Sequence, residues 1–297
     1  MYQQGSTAGI CVYDDGTFAL FGYATLVWGK YTIENEKISF IPNVPKQAFS
    51  VLGRENKSIS NGMIITVGSE FRRSGPIQIQ FDSAKVLNLF DENFPKGASH
   101  YTTKTIDKAK TLTLSQNSEN TSLENNTNTF QLPAQCNEFI LFMYRTSSEQ
   151  RPFEGSFATE DGKQVLQSRW GQFEKQPQGK DPEWETYLAE SKVAGEKMKN
   201  TATFYFNDQF KSATGSNYLT EKQSTFDVRN YVLDKGSNKL IHKEIYKKGK
   251  DYSKAVAEDY HDERYMLSYQ EIPIAKATKT ESGKVQVAPR ALFINAQ

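Results

Sequence analysis

The chain reads as mainly β, in two tandem antiparallel β-sandwich or β-barrel-like units, with one amphipathic helix at about 181–200 in the second. Three observations predict this. Aromatic residues are abundant, with 19 Phe and 15 Tyr, while apolar residues as a whole make up only 37%, a mixture that suits thin sheet-built cores. Short aromatic and β-branched runs recur between Gly, Asn and Asp punctuation. A phrase also occurs twice: Gly16-Thr17-Phe18-Ala19 leading to Trp28-Gly29-Lys30-Tyr31, and Gly155-Ser156-Phe157-Ala158 leading to Trp170-Gly171-Gln172-Phe173. With 297 residues, enough for two domains of common size, the echo predicts a first β domain over 1–150 and a related second over 151–297.

The elements follow in order. Thr17 to Phe21, Leu26 to Ile33 and Lys37 to Ile41 form a three-stranded meander, the last two runs separated by Glu34-Asn35-Glu36. Met63, Ile65 and Val67 alternate with Ile64, Thr66 and Gly68. Ile77, Ile79 and Phe81 alternate with Gln78 and Gln80, which predicts one buried and one wet face, with Pro76 at the strand's start. The tract 115–129 holds Ser, Asn, Thr, Glu and Gln with Leu123 as its one apolar residue between 115 and 129, too polar to offset its ordering entropy, and is expected to be a mobile loop inside the first domain. Phe139, Leu141 and Met143 close that domain.

In the second half, Glu160-Asp161-Gly162-Lys163 reads as a tight hairpin turn, because Asp-Gly supplies the positive φ values such turns need. Asp181 caps a helix that Pro182, Glu183 and Glu185 begin, with Trp184, Tyr187, Leu188, Ala194 and Met198 at helical spacing and Asn200 at its end. It is expected to cover an end or flank of the second sheet, a lid over a ligand pocket being the alternative. Phe204 with Phe206, Phe226 with Val228, and Val285 with Val287 supply further strand pairs. Trp28 and Trp170, at corresponding places in the echo, are expected to fill cores.

Charge excludes little but helps with partners. Thirty-six basic and 35 acidic residues leave +1, with no basic stripe able to neutralise a run of phosphates, so nucleic acid is not an expected partner. The densest basic stretch, Lys243 to Lys250, reads as a solvated rim. No run approaches the roughly 20 apolar residues that span a bilayer. Cys11 and Cys136 fall near the two ends of the first domain, as a bridge or as two reduced thiols. The start carries no charged leader or apolar signal core; the Asn- and Thr-rich loop, the all-β reading and the cysteine pair point to export to the periplasm, surface or medium with the native signal removed, a cytoplasmic setting being the alternative.

Chemistry-bearing motifs are sparse. The three histidines, His100, His242 and His261, lie far apart, without HxxxH or HExxH spacing; no GxSxG elbow, GxxxxGK[ST] loop or GxGxxG turn occurs. No metal or cofactor is therefore expected. The most polar constellation runs from Glu258 to Tyr265, where Glu258, His261 and Glu263 are the candidate catalytic groups; the spacing matches no calcium loop. Its bland reading is a short capped helix over Ser253 to Tyr260 with a charged end. Tyr246, Tyr252, Tyr260 and Tyr265 crowd the same region as candidate ligand-binding rings. The function expected is a non-catalytic binding or interaction protein of the bacterial cell envelope or extracellular space, taking a glycan, a small apolar ligand or an envelope protein through loops and aromatic surface. The alternative is a glycan-directed hydrolase with paired carboxylates in the second domain.

Overall fold

The computed structural model describes residues 1–4, 8–22, 25–73, 75–94, 101–116, 126–144, 148–177, 182–199, 201–210, 226–279 and 286–294. In chain order the strands begin with β1 (Tyr2–Gln4), β2 (Ala8–Val12), β3 (Thr17–Gly22), β4 (Thr25–Glu34), β5 (Lys37–Pro42), β6 (Phe49–Arg54) and β7 (Met63–Gly68). They continue with β8 (Ile77–Phe81), β9 (Val86–Phe90), β10 (Tyr101–Ile106), β11 (Thr111–Gln116), β12 (Thr127–Gln131) and β13 (Glu138–Met143). Then come β14 (Phe153–Glu160), β15 (Lys163–Ser168), β16 (Gly171–Lys175) and the helix α1 (Pro182–Lys199). The last strands are β17 (Thr203–Phe206), β18 (Tyr231–Asp234), β19 (Lys239–His242), β20 (Tyr265–Ile272), β21 (Ile274–Thr278) and β22 (Val287–Phe293).

The protein is mainly β, and its chain divides into two compact units that interleave. One takes Met1–Pro45 with Thr146–Lys199, the other Lys46–Arg145 with Asn200–Gln297. The expected boundary near 150 is close to a real crossing, but the chain crosses again, because β14 hydrogen-bonds back onto β5, pairing Phe153 with Phe40. Both copies of the repeated phrase therefore lie in the same unit.

That unit is a closed eight-stranded barrel in the order β1-β16-β15-β14-β5-β4-β3-β2. Period-two alternation turns Ile10, Phe18, Leu20, Ile38, Phe40, Phe153, Leu166 and Phe173 inward as one cluster. The Phe40 and Phe153 rings stack 4.5 Å apart and Phe18 meets both edge-on, so aromatic rings fill the interior. The turns are those the sequence signals. Asp161 and Gly162 have φ of 52° and 77°, and Asn35 and Glu36 have 48° and 66°, the positive values a twisted two-residue hairpin needs.

The two Trp-Gly pairs serve different ends. Gly29 lies opposite Phe18 across β3 and β4, and a Cβ there would stand 2.3 Å from the Phe18 ring. Gly171 opens β16 with φ 118°, so it meets a conformational need. Trp170 joins the barrel interior as expected, whereas Trp28 points outward beneath the helix.

The helix flanks this barrel, not a second sheet. Trp184, Tyr187 and Leu188 come down on Cys11, Ala19 and Phe21, outward residues of β2 and β3. Lys192 pairs with Asp15 at 2.6 Å and lies over the Tyr13 ring at 5.3 Å. The expected caps Asp181 and Asn200 lie outside the described residues, as do the side chains of Ala194 and Met198.

The second unit holds two sheets. The larger runs β10-β7-β13-β6-β20-β19-β18, with β17 also paired to β20; the smaller runs β21-β12-β11-β8-β9-β22. Val51, Ile65, Val67, Phe139 and Leu141 from the first meet Ile79, Leu112, Leu114, Phe130 and Leu292 from the second in one core. Leu52 and Ile140 point to the other face, packing with Phe206, Leu267 and Tyr269. Burial on both faces explains why β13 reads FILFM without alternation. The polar tract leaves β11 and returns in β12, which pair from Thr111 with Gln131 to Ser115 with Thr127, so it is a hairpin connection; residues 117–125 of it lie outside the described residues.

Two expected strand pairs change. Asp227, between Phe226 and Val228, caps a short 3-10 turn by accepting the Arg229 N–H at 2.9 Å. Val285 lies outside the described residues, while Val287 begins β22. Both cysteines are free thiols. Cys11 belongs to the barrel unit and Cys136 to the other. No described helix is long and apolar enough to cross a membrane.

Candidate functional site

The acidic and tyrosine-rich stretch folds as a set of turns after β19, with no helix over Ser253 to Tyr260. Its short polar side chains bond local N–H groups and so compete with helix formation: Asp251 accepts from Ser253 at 2.8 Å and Asp259 from His261 at 2.7 Å. Asp262 is the keystone. Its carboxylate accepts the backbone N–H groups of Glu258 and Arg264 and both Nε and Nη2 of Arg264, each bond being 2.8 or 2.9 Å. The same Arg264 Nη2 lies 2.8 Å from Glu258. One guanidinium therefore holds two carboxylates, and its hydrogen bonds keep the Asp262 carboxyl well below the usual carboxylate range.

The other predicted residues divide between packing and exposure. Tyr252 is buried, 1% exposed, and its hydroxyl accepts the Lys247 N–H at 2.6 Å and donates to the Ile245 carbonyl at 3.1 Å. Tyr246 stacks on it with ring centroids 5.9 Å apart, and Tyr265 lies tilted at 6.5 Å. These three rings make the small core of the turn region. Tyr260 is exposed, with the His261 ring edge-on at 5.4 Å. The Glu263 carbonyl accepts the Tyr231 hydroxyl at 2.8 Å. Among the described residues no three His, Cys, Asp or Glu side chains are grouped to hold a metal ion.

A second charged cluster is internal. Arg54 and Glu138, 4% and 7% exposed, pair at 2.6 Å. Glu138 also accepts from Tyr269 at 2.7 Å and Asn56 at 2.7 Å, and Arg54 donates to the Asn238 carbonyl at 2.9 Å. Burial is the main reason the Tyr269 hydroxyl is pushed well above its ordinary pKa, with the Glu138 charge adding to it. These bonds join β6, β13 and β20 and satisfy most of the charge, which is the pattern of a structural network.

The outer face of the six-stranded sheet has a different character. Residues directly opposite across strands share a face, and the register aligns Thr278, Thr127, Ser115, Gln78 and Asn88 in one rung. The next rung aligns Lys276, Thr129, Thr113 and Gln80. Hydroxyls bond along the rungs, Thr113 to Thr129 at 2.9 Å and Ser115 to Thr127 at 2.7 Å. A cavity of about 160 Å³ opens on this face, lined by Gln78, Gln80, Val86, Thr113, Ser115 and Thr127 among others, none of them charged.

Gln78 is the unusual member of that lining. It is only 5% exposed, yet its side-chain amide has no hydrogen-bond partner among the described residues, whereas Gln80 donates to the Ala84 carbonyl at 2.8 Å. The sequence already marks Gln78 and Gln80 as the wet side of an alternating strand, and Thr111, Thr113 and Ser115 repeat that pattern in β11. Their juxtaposition depends on the register between strands about 35 residues apart in sequence, which a linear reading does not supply. No protein-family model matches the chain, and no curated protein or solved structure matches it.

Proposed function

We propose that this is a non-catalytic binding protein that works outside the cytoplasm, at a bacterial cell envelope or beyond it, with the outer face of the six-stranded sheet as its recognition surface. The observation that carries the reading is the uncharged cavity of about 160 Å³ whose wall includes the Gln78 amide, which makes no hydrogen bond to a described residue and stays open to the cavity. A ligand bonding there exchanges water for its own donors and acceptors at an amide that no side chain already occupies.

A thermal-shift panel of neutral oligosaccharides, fatty acids, divalent cations and inorganic phosphate tests this, because a ligand that binds the native state raises its stability by mass action. At a hundredfold excess over Kd the gain is about 2.7 kcal/mol, which is several degrees for a protein of this size. A rise with an unmodified, recoverable ligand is expected. Release of reducing sugar from an oligosaccharide, abolished in Glu258→Gln, would replace the reading with the hydrolase.

A further inference from the structure

Resting on that reading, we infer that the cavity around Gln78 is a subsite for a single ring of a neutral, hydroxyl-rich oligosaccharide. The lining selects the class of ligand. An anion would call for Arg, Lys or a cluster of N–H donors, and a hard cation for carboxylates; neither borders the cavity. An apolar ligand would need walls that are mostly aliphatic or aromatic, and here Ile79 and Val86 stand among three hydroxyl residues and two amides.

Hydroxyls and amides both donate and accept, which is the pairing that a sugar hydroxyl offers in return. The Gln78 amide brings two donors and an oxygen acceptor that no described residue uses. In the Thr113 and Thr129 pair one hydroxyl donates to the other, so one O–H of that pair stays available for a ligand. The Val86 side chain offers apolar contact to the C–H face of a ring. The size fits a short ligand segment: about 160 Å³ lies well under the ~300–1,000 Å³ of pockets that take drug-sized molecules. A wide polar sheet face around the cavity leaves room for the chain to continue beyond the ring. With no aromatic platform in the lining, the affinity of a single ring is expected near the millimolar range.

The experiment is an NMR titration of the full chain with cellohexaose, maltohexaose and chitohexaose, with dodecanoate and inorganic phosphate as the competing chemistries. The Gln78 side-chain amide signal is assigned by its loss in Gln78→Leu. One saccharide is expected to move that signal together with the Val86 and Thr113 methyls, and Gln78→Leu and Thr113→Val should each weaken binding tenfold or more while the remaining spectrum is retained. Saccharide binding that leaves the Gln78 amide unmoved overturns the subsite while the binding-protein reading stands. Binding of dodecanoate or phosphate alone overturns the subsite in the same way. If no compound in this panel or the thermal panel binds, both the subsite and the reading fall.

Discussion

Arg54 and Glu138 show how a few buried charges can order a whole sheet. Each is held by at least two partners, so truncating one leaves the other's charge buried and uncompensated. Arg54→Met is expected to cost about 3–5 kcal/mol, read as a lower urea midpoint with an unchanged slope. Asp262 predicts how the molecule meets acid. Its folded-state pKa lies below the unfolded value, so the stability it contributes is present above the unfolded pKa and is lost as pH falls from about 4 toward the folded value. Urea midpoints measured between pH 7 and pH 3 should therefore fall in the wild type. In Asp262→Asn they should start lower and fall less steeply. The Arg54 network does not show in the sequence, since Arg54, Glu138 and Tyr269 are separated there by a hundred residues or so and each, read alone, is an ordinary strand residue.

Among the elements, local signals place several correctly and mislead at others: the short helix read over Ser253 to Tyr260 is a set of turns, because Asp251, Asp259 and Asp262 bond nearby N–H groups. The 77–81 strand, the Asp161-Gly162 turn and the helix from Pro182 are marked by alternation, positive φ and a first turn of Pro182, Glu183 and Glu185, each within a few residues. The helix's docking surface is not, because it consists of outward residues of β2 and β3, far earlier in the chain. Leu188, 1% exposed at that surface, gives a direct check: Leu188→Ala is expected to cost about 2–5 kcal/mol, measured by thermal or urea unfolding of the barrel unit. Lys192→Ala should cost much less than Leu188→Ala in the same unfolding measurement, since Asp15 is more than half exposed and water screens the pair. Gly29→Ala should be far more damaging than its size suggests, because the added methyl meets both the Phe18 ring and the Ile41 carbonyl. A loss of more than about 1 kcal/mol in urea unfolding is the expected result.

At the scale of the whole molecule, the repeated phrase was readable but its meaning was not. Phe18 and Phe157 both pack toward one barrel interior, so the echo reflects two arcs of a single closed sheet. Period-two patterning fixes which residues face inward and leaves open which sheet they face into. A direct test follows from the interleaving. Residues 1–45 joined to 146–199 through a short Gly-rich linker should give a cooperatively unfolding β protein, whereas fragment 1–150 should lack a cooperative transition by circular dichroism.

The pairing of β5 with β14 also has a meaning in time. When the chain is delivered N-terminus first, Phe40 arrives about 110 residues ahead of Phe153, so the β5 edge is complete well before its partner. Closure takes longer still, because Tyr2 must meet Lys175. Throughout that interval the β5 edge, with Ile38 and Phe40 on it, lacks the strand that pairs with it in the folded barrel.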